Sequence, residues 1–207
     1  MDVGRWTLEN AYDQHVNAAV DAQTWPISRE QAVAFVKGVI ASESAFNPRA
    51  TANEAQIGDS SVGLMQVLYN TARGLGFSGP RPTGADRERL TGLYDPRTNI
   101  ALGTLYLARL VGQYGGDLER AASAYNGGDR PQLGLGTRAT KAGRICLQWK
   151  PDAPTTGRTI DKHCARPYSY KVGEFGNQPY VSKVMHNYNY FFVSAAGTPP
   201  PPNRRTP

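Results

Sequence analysis

Cysteine is scarce in this 207-residue chain, which holds only Cys146 and Cys164. Two thiols cannot supply the disulfide framework that small secreted folds depend on, so a packed core has to hold the chain together. The pair encloses seventeen residues. Oxidised, it would close a loop worth about 3 kcal/mol by chain entropy; two buried thiols are the other reading. Histidine is scarcer still for its chemistry, with three residues. His163 beside Cys164, with His186 further on, lacks the paired near-neighbour spacing of a structural zinc site, and no metal is expected. No uncharged apolar run reaches the length of about 20 residues that a membrane helix needs. Charged residues make up only 19% of the chain against 40% hydrophobic, which excludes a disordered polymer. Basic residues exceed acidic ones by six. They are scattered, and only Arg204 and Arg205 adjoin, so no nucleic-acid groove is expected. The first twenty residues carry Asp2, Glu9 and Asp13 and have no basic segment leading into an apolar one, so no secretory signal peptide is expected.

What is present reads as one mainly α domain over residues 1–196. Ser28 with Gln31 forms a capping-box pattern, and Val33, Val36 and Ile40 follow at helical spacing, predicting a helix from about Arg29 to Phe46 that Asn47-Pro48 ends. Asp95-Pro96 caps a helix whose face is Ile100, Gly103, Leu107, Leu110 and Tyr114, stopped by Gly115-Gly116. Asp117 caps a short helix through Asn126, and Tyr180, Val184, Tyr188 and Phe192 mark a last one. A first helix over Thr7–Ala22 turns Leu8, Tyr12, Val16 and Ala19 inward. No strand pair is expected. Residues 129–178, rich in Gly, Pro, Thr, Lys and Arg, read as a long irregular insertion. Residues 197–207, GTPPPPNRRTP, read as a flexible proline-rich tail or tether.

Continued by one helical step, the stripe of Val33, Val36 and Ile40 arrives at Glu43. A carboxyl on a buried face has its charged form disfavoured, which raises its pKa and lets it act as a general acid. Around it the chain reads IASESAFNP. Further on come SVGLMQV (61–67), DPRTNIALGTLYLARL (95–110), AASAYNGG (121–128) and PYVSKV (179–184). In kind, order and spacing these five segments resemble the soluble lytic transglycosylases, a lysozyme-like family that cleaves peptidoglycan glycan strands.

The resemblance implies a lysozyme-like helical domain with Glu43 as the single catalytic carboxyl, followed by Ser44. It implies that Gly63, Leu64, Met65 and Gln66 line the sugar groove, with Met65 an adaptable apolar contact and Gln66 a two-way hydrogen bonder. Tyr125 would stand against the glutamate and the sugar, Asn126 of the same motif would bind substrate, and Tyr180 would orient the glutamate. Where the family commonly has a serine that holds the acetamido group, the chain reads Arg49, Ala50, Thr51, Ala52, so Thr51 is the candidate there. The implied reaction needs no cofactor. It cleaves the MurNAc–GlcNAc β-1,4 bond and leaves a 1,6-anhydromuramyl end. Two alternatives stand beside it. One is an inverting muramidase in which Asp59 or Glu54 activates water, and the other a non-catalytic wall-binding virion protein. Peptidoglycan lies outside the cytoplasm, and with no signal peptide expected, the implied setting is a phage virion, with a phage endolysin or a secretion-apparatus enzyme as the other routes. The enzyme would then act in the host periplasm or cell wall, with phage tail or internal virion proteins as partners.

Overall fold

In the computed structural model, which describes residues 8–127 and 177–196, the first helix (α1) spans Asp13–Asp21. It is shorter than the predicted Thr7–Ala22. Residues 8–12 form turns instead, because Asn10 and Asp13 are drawn to the ammonium of Lys37 at 3.0 and 2.7 Å. Leu8, expected inward, is 43% exposed, whereas Val16 and Ala19 are buried as expected.

The central helix (α2) spans Arg29–Ser44, and the capping box is present in full. The Ser28 hydroxyl accepts from the Gln31 amide, and the Gln31 side chain accepts from the Ser28 amide. The helix stops two residues before the predicted end. Ala45 and Phe46 both turn left-handed, at φ 50° and 64°, which throws the Phe46 ring into the core, where it is 1% exposed. Left-handed geometry costs about 1–2 kcal/mol at a residue with a Cβ, and burial of Phe46 offsets it.

After this reversal come three short strands, which the sequence reading did not foresee: β1 (Thr51–Glu54), β2 (Asp59–Val62) and β3 (Val67–Leu68). They form an antiparallel sheet in the order β1-β2-β3, with Thr51 opposite Val62 and Glu54 opposite Asp59. Strand β1 is exposed throughout. It therefore carries no apolar alternation by which a strand is recognised. Two short helices follow, α3 (Tyr69–Gly74) and α4 (Gly84–Arg89).

Helix α5 (Pro96–Gln113) opens as predicted, with the Asp95 side chain accepting from the Thr98 amide at 2.8 Å. Helix α6 (Leu118–Gly127) is likewise capped by Asp117, which accepts from the Arg120 amide at 3.0 Å. The last helix, α7 (Gln178–Ala196), crosses α2 so closely that a Cβ on Gly38 would lie 2.9 Å from the Tyr188 backbone nitrogen. Only glycine permits that approach. On either side of the crossing, Phe35 meets Tyr188 and Phe46 meets Phe191 edge to face, at 6.1 and 5.8 Å. Helix α2 is thus buried along most of its length, and its last turn meets α7 through Glu43 and Ser42. The predicted insertion, with Cys146 and Cys164, and the predicted tail lie outside the described residues, apart from Asn177 and Gln178.

Candidate active site

Glu43 is the penultimate residue of α2. The Tyr180 hydroxyl, in the first turn of α7, donates to Glu43 Oε1 at 2.6 Å. Loss of water around the carboxyl raises its pKa from 4.5 to about 7, against the opposing pull of the Tyr180 hydrogen bond and the charge of Lys183. Negative charge on Glu54 acts in the same direction as burial. The phenols of Tyr180 and Tyr125 are pushed well above their usual range by burial and then by the Glu43 charge. Both therefore remain neutral hydrogen-bond donors at physiological pH. A carboxyl that is half protonated near neutrality can give a proton and take one back.

The loop opposite Glu43 is built around Gly63. Its φ is 75°, and a Cβ there would lie 2.4 Å from Asn99 Nδ2, so the position excludes any side chain on two grounds. Asn99, fully buried in the first turn of α5, holds the loop from three sides. Its Nδ2 donates to the carbonyls of Val62 and Leu93, and its Oδ1 accepts from the Met65 amide, all at 2.8–2.9 Å. Asn99 belongs to the segment 95–110, where the sequence motif alone gives it no part. The signal was there, for Asn99 falls one step ahead of Gly103 and Leu107 on the buried face, where an unpaired amide would be costly.

Of the other expected groove residues, Ser44 donates to the Leu64 carbonyl at 2.8 Å and to the Ile40 carbonyl at 3.2 Å. It fastens the end of α2 to the glycine loop. Leu64 and Met65 are each 0% exposed. The Met65 side chain, expected as an apolar contact for the sugar, packs over Gly103 in the core. The Met65 carbonyl accepts from the Tyr125 hydroxyl at 2.8 Å, and the Tyr125 ring leans on Tyr106. Gln66, left-handed at φ 46°, is only half-buried, donates to the Gly63 carbonyl and accepts from the Ser61 hydroxyl. Three left-handed residues that carry a side chain, Ala45, Phe46 and Gln66, thus flank the glutamate and its facing loop, where backbone strain commonly accompanies a functional site. Thr51 stands exposed at the start of β1. Asn126 accepts from Asn177 Nδ2 at 3.0 Å, which ties α6 to the residue ahead of α7.

The two alternative bases differ sharply. The Asp59 side chain is fully buried, and its oxygens accept from the amides of Ser60 and Asn70 at 2.8 and 2.9 Å, with Arg81 at 3.5 Å. It has no face toward solvent for activating water. Glu54 is exposed at the end of β1. Among the described residues, no three His, Cys, Asp or Glu side chains cluster to hold a metal, and no helix is long and apolar enough to cross a membrane.

Residues 23–143 match the family described as the transglycosylase SLT domain. The chain belongs to this family. The matched span carries Glu43, the glycine loop and Tyr125, while Tyr180 reaches the glutamate from outside it. Among curated proteins, this SLT domain is similar to a soluble lytic murein transglycosylase assigned in Haemophilus influenzae, at 36% identity over 121 residues, 58% of this chain and 18% of that protein. It is also similar to the transglycosylase of Enterobacteria phage PRD1, at 37% identity over 94 residues, 45% of this chain and 28% of that protein. The chain thus spans less than a third of either relative. Among solved structures, the inactive mutant of the lytic transglycosylase Slt from Pseudomonas aeruginosa superposes with a TM-score of 0.55 at 19% identity, covering 95% of this chain and 26% of that one. The 70 kDa soluble lytic transglycosylase of Escherichia coli gives a TM-score of 0.51 at 22% identity, over 90% of this chain and 24% of that one. Both likenesses establish the lysozyme-like helical fold.

Proposed function

We propose that this SLT domain is a peptidoglycan lytic transglycosylase that cleaves the MurNAc–GlcNAc β-1,4 bond with Glu43 as its single acid and base. The observation that carries the reading is a carboxyl poised near pH 7 under the Tyr180 hydroxyl, while Asp59 is sealed into the fold. Glu43 delivers its proton to the glycosidic oxygen as the bond to the anomeric carbon breaks, and the substrate's own N-acetyl oxygen stabilises the positive charge left there. The Glu43 carboxylate then takes the proton of the muramyl 6-hydroxyl. That oxygen closes on the anomeric carbon, giving a 1,6-anhydromuramyl end and restoring the acid. No water is consumed and no cofactor takes part.

Tyr180 holds the rotamer of Glu43, and Ser44 and Tyr125 hold the loop that faces it. Thr51, Gln66 and Asn126 are the candidates for sugar contacts, with the buried Gly63, Leu64 and Met65 shaping the loop beneath them. A hydrolase reading survives only through Glu54, whose exposed carboxylate acts electrostatically on Glu43. The likeness to the PRD1 protein supports a setting in phage infection, in which the enzyme is carried with virion proteins and opens the host wall locally. Digestion of purified sacculi followed by mass spectrometry of the muropeptides tests the chemistry. Transglycosylation yields ends lighter by one water than the reducing muramic acid ends of hydrolysis. Reducing ends throughout would move the assignment to the Glu54 hydrolase.

A further inference from the structure

The last turn of α2 is held along one face of α7. Tyr180, Lys183 and Asn187 lie three and four residues apart, so their side chains follow one another down that face. In order they take the Glu43 carboxyl, the Ser42 carbonyl and the Ser42 hydroxyl. Lys183 Nζ donates to the Ser42 carbonyl at 2.6 Å, and Asn187 Nδ2 donates to Ser42 Oγ at 3.0 Å. The Ser42 hydroxyl in turn donates to the Gly38 carbonyl at 2.8 Å. Carbonyls in the last turn lose their helical partners where the chain leaves the helix, and the negative end of the helix dipole gathers there. The left-handed turn at Ala45 and Phe46 makes that departure abrupt just after Glu43.

We propose that Lys183 is a positioning residue for Glu43: its ammonium clamps the Ser42 carbonyl, fixing the peptide that carries the glutamate, and offsets the negative charge that appears when Glu43 gives up its proton. The proposal rests on the reading of Glu43 as acid and base. Lys183 neither touches the carboxyl directly nor is needed to bring α7 to α2, because Gly38, Tyr188 and Asn187 already make that crossing. The other groups that face Glu43 are Tyr180 from the same helix, Tyr125 from α6 and Glu54 from β1. Tyr180 and Lys183 favour the ionised carboxylate, and Glu54 opposes it. Lys183 is therefore the positive member of a balance that keeps Glu43 able to both give and receive a proton.

The test uses Lys183→Met and Lys183→Gln, so that one folding failure does not end it, with Lys183→Arg as the charge-conserving variant. The Glu43 carboxyl is titrated by carbon NMR without substrate, and kcat/KM on sacculi is followed against pH. Without the ammonium, the Glu43 midpoint should rise by about 0.2–0.7 of a pH unit, the displacement of an exposed ion pair of ordinary strength. The alkaline limb of kcat/KM should rise with it, kcat at pH 6 should fall with KM little changed, and Lys183→Arg should restore all three. A Glu43 midpoint that does not move in the neutral variants, or that Lys183→Arg fails to restore, overturns the proposal. Failure of the underlying reading is a separate result, in which Glu43→Gln keeps its activity whatever Lys183 does.

Discussion

Replacing Glu43 by Gln should make the protein more stable above neutral pH while silencing it. The carboxyl ionises at about 7 in the folded chain and at 4.5 when its surroundings are ordinary. Between those values the native state holds a proton that the unfolded state has released, so stability falls as pH rises across that window. The favourable linkage is complete below about pH 4.5 and gone above about pH 7. At about 1.4 kcal/mol per pH unit, it amounts to about 3 kcal/mol. A glutamine keeps an oxygen to accept from Tyr180 and never ionises, so it escapes the loss. With a urea slope of about 2 kcal/mol/M, the unfolding midpoint of Glu43→Gln, compared with the native protein, should gain about 1.5 M between pH 4 and pH 8. Urea titrations followed by circular dichroism at several pH values measure this. A difference between the two proteins that stays constant with pH would refute burial as the source of the raised pKa. Wild-type clearing of sacculi by the folded variant would refute the role of Glu43 altogether, since losing a general acid costs about 10² to 10⁴ in rate.

Tyr180→Phe removes a hydrogen bond that favours the carboxylate; turnover should fall and the alkaline limb of kcat/KM should move to higher pH, and an unmoved limb would reduce Tyr180 to packing. Tyr125→Phe leaves the Met65 carbonyl without its phenol at 2.8 Å, which should cost about 1–3 kcal/mol in urea unfolding along with some activity. Asp59→Asn turns an amide toward the Asn70 N–H and should destabilise by about 1–3 kcal/mol without altering the muropeptide ends. A folded, stable and inactive Asp59→Asn protein would restore Asp59 as a base. Gly63→Ala should prevent folding or lose several kcal/mol, because both the backbone at φ 75° and the Asn99 amide at 2.4 Å exclude a Cβ; native-like stability on thermal unfolding would contradict the geometry.

Helix α5 and the start of α2 were legible as a sequence because their causes are local. Caps such as Ser28-Gln31 and Asp95-Pro96, and stripes such as Ile100 to Leu110, act within a few residues of chain, and Glu43 could be placed on the α2 stripe for the same reason. The sheet was not legible. Its strands hold four, four and two residues, and β1 buries nothing, so pairing is decided by the turn at Gly58 and by Val62 and Val67 reaching the core. The early end of α2 was hidden as well, since it depends on a distant cavity that accepts Phe46.

Site roles divide along the same line. Residue type and order marked Glu43, Gly63, Tyr125 and Tyr180 as chemical candidates. Position along the chain could not say that Met65 would be core, that Asp59 would be spent on backbone amides, or that Asn99 would hold the glycine loop. Those outcomes belong to tertiary packing, which alone decides which polar groups lose water and which partners replace it. The carboxyl of Glu43 comes to titrate near 7 because the fold takes water from it, while Tyr180 of α7, some 137 residues away in sequence, tempers the rise. Burial of a charge and the hydrogen bond that tempers it are properties of that enclosure, and no stretch of sequence contains them.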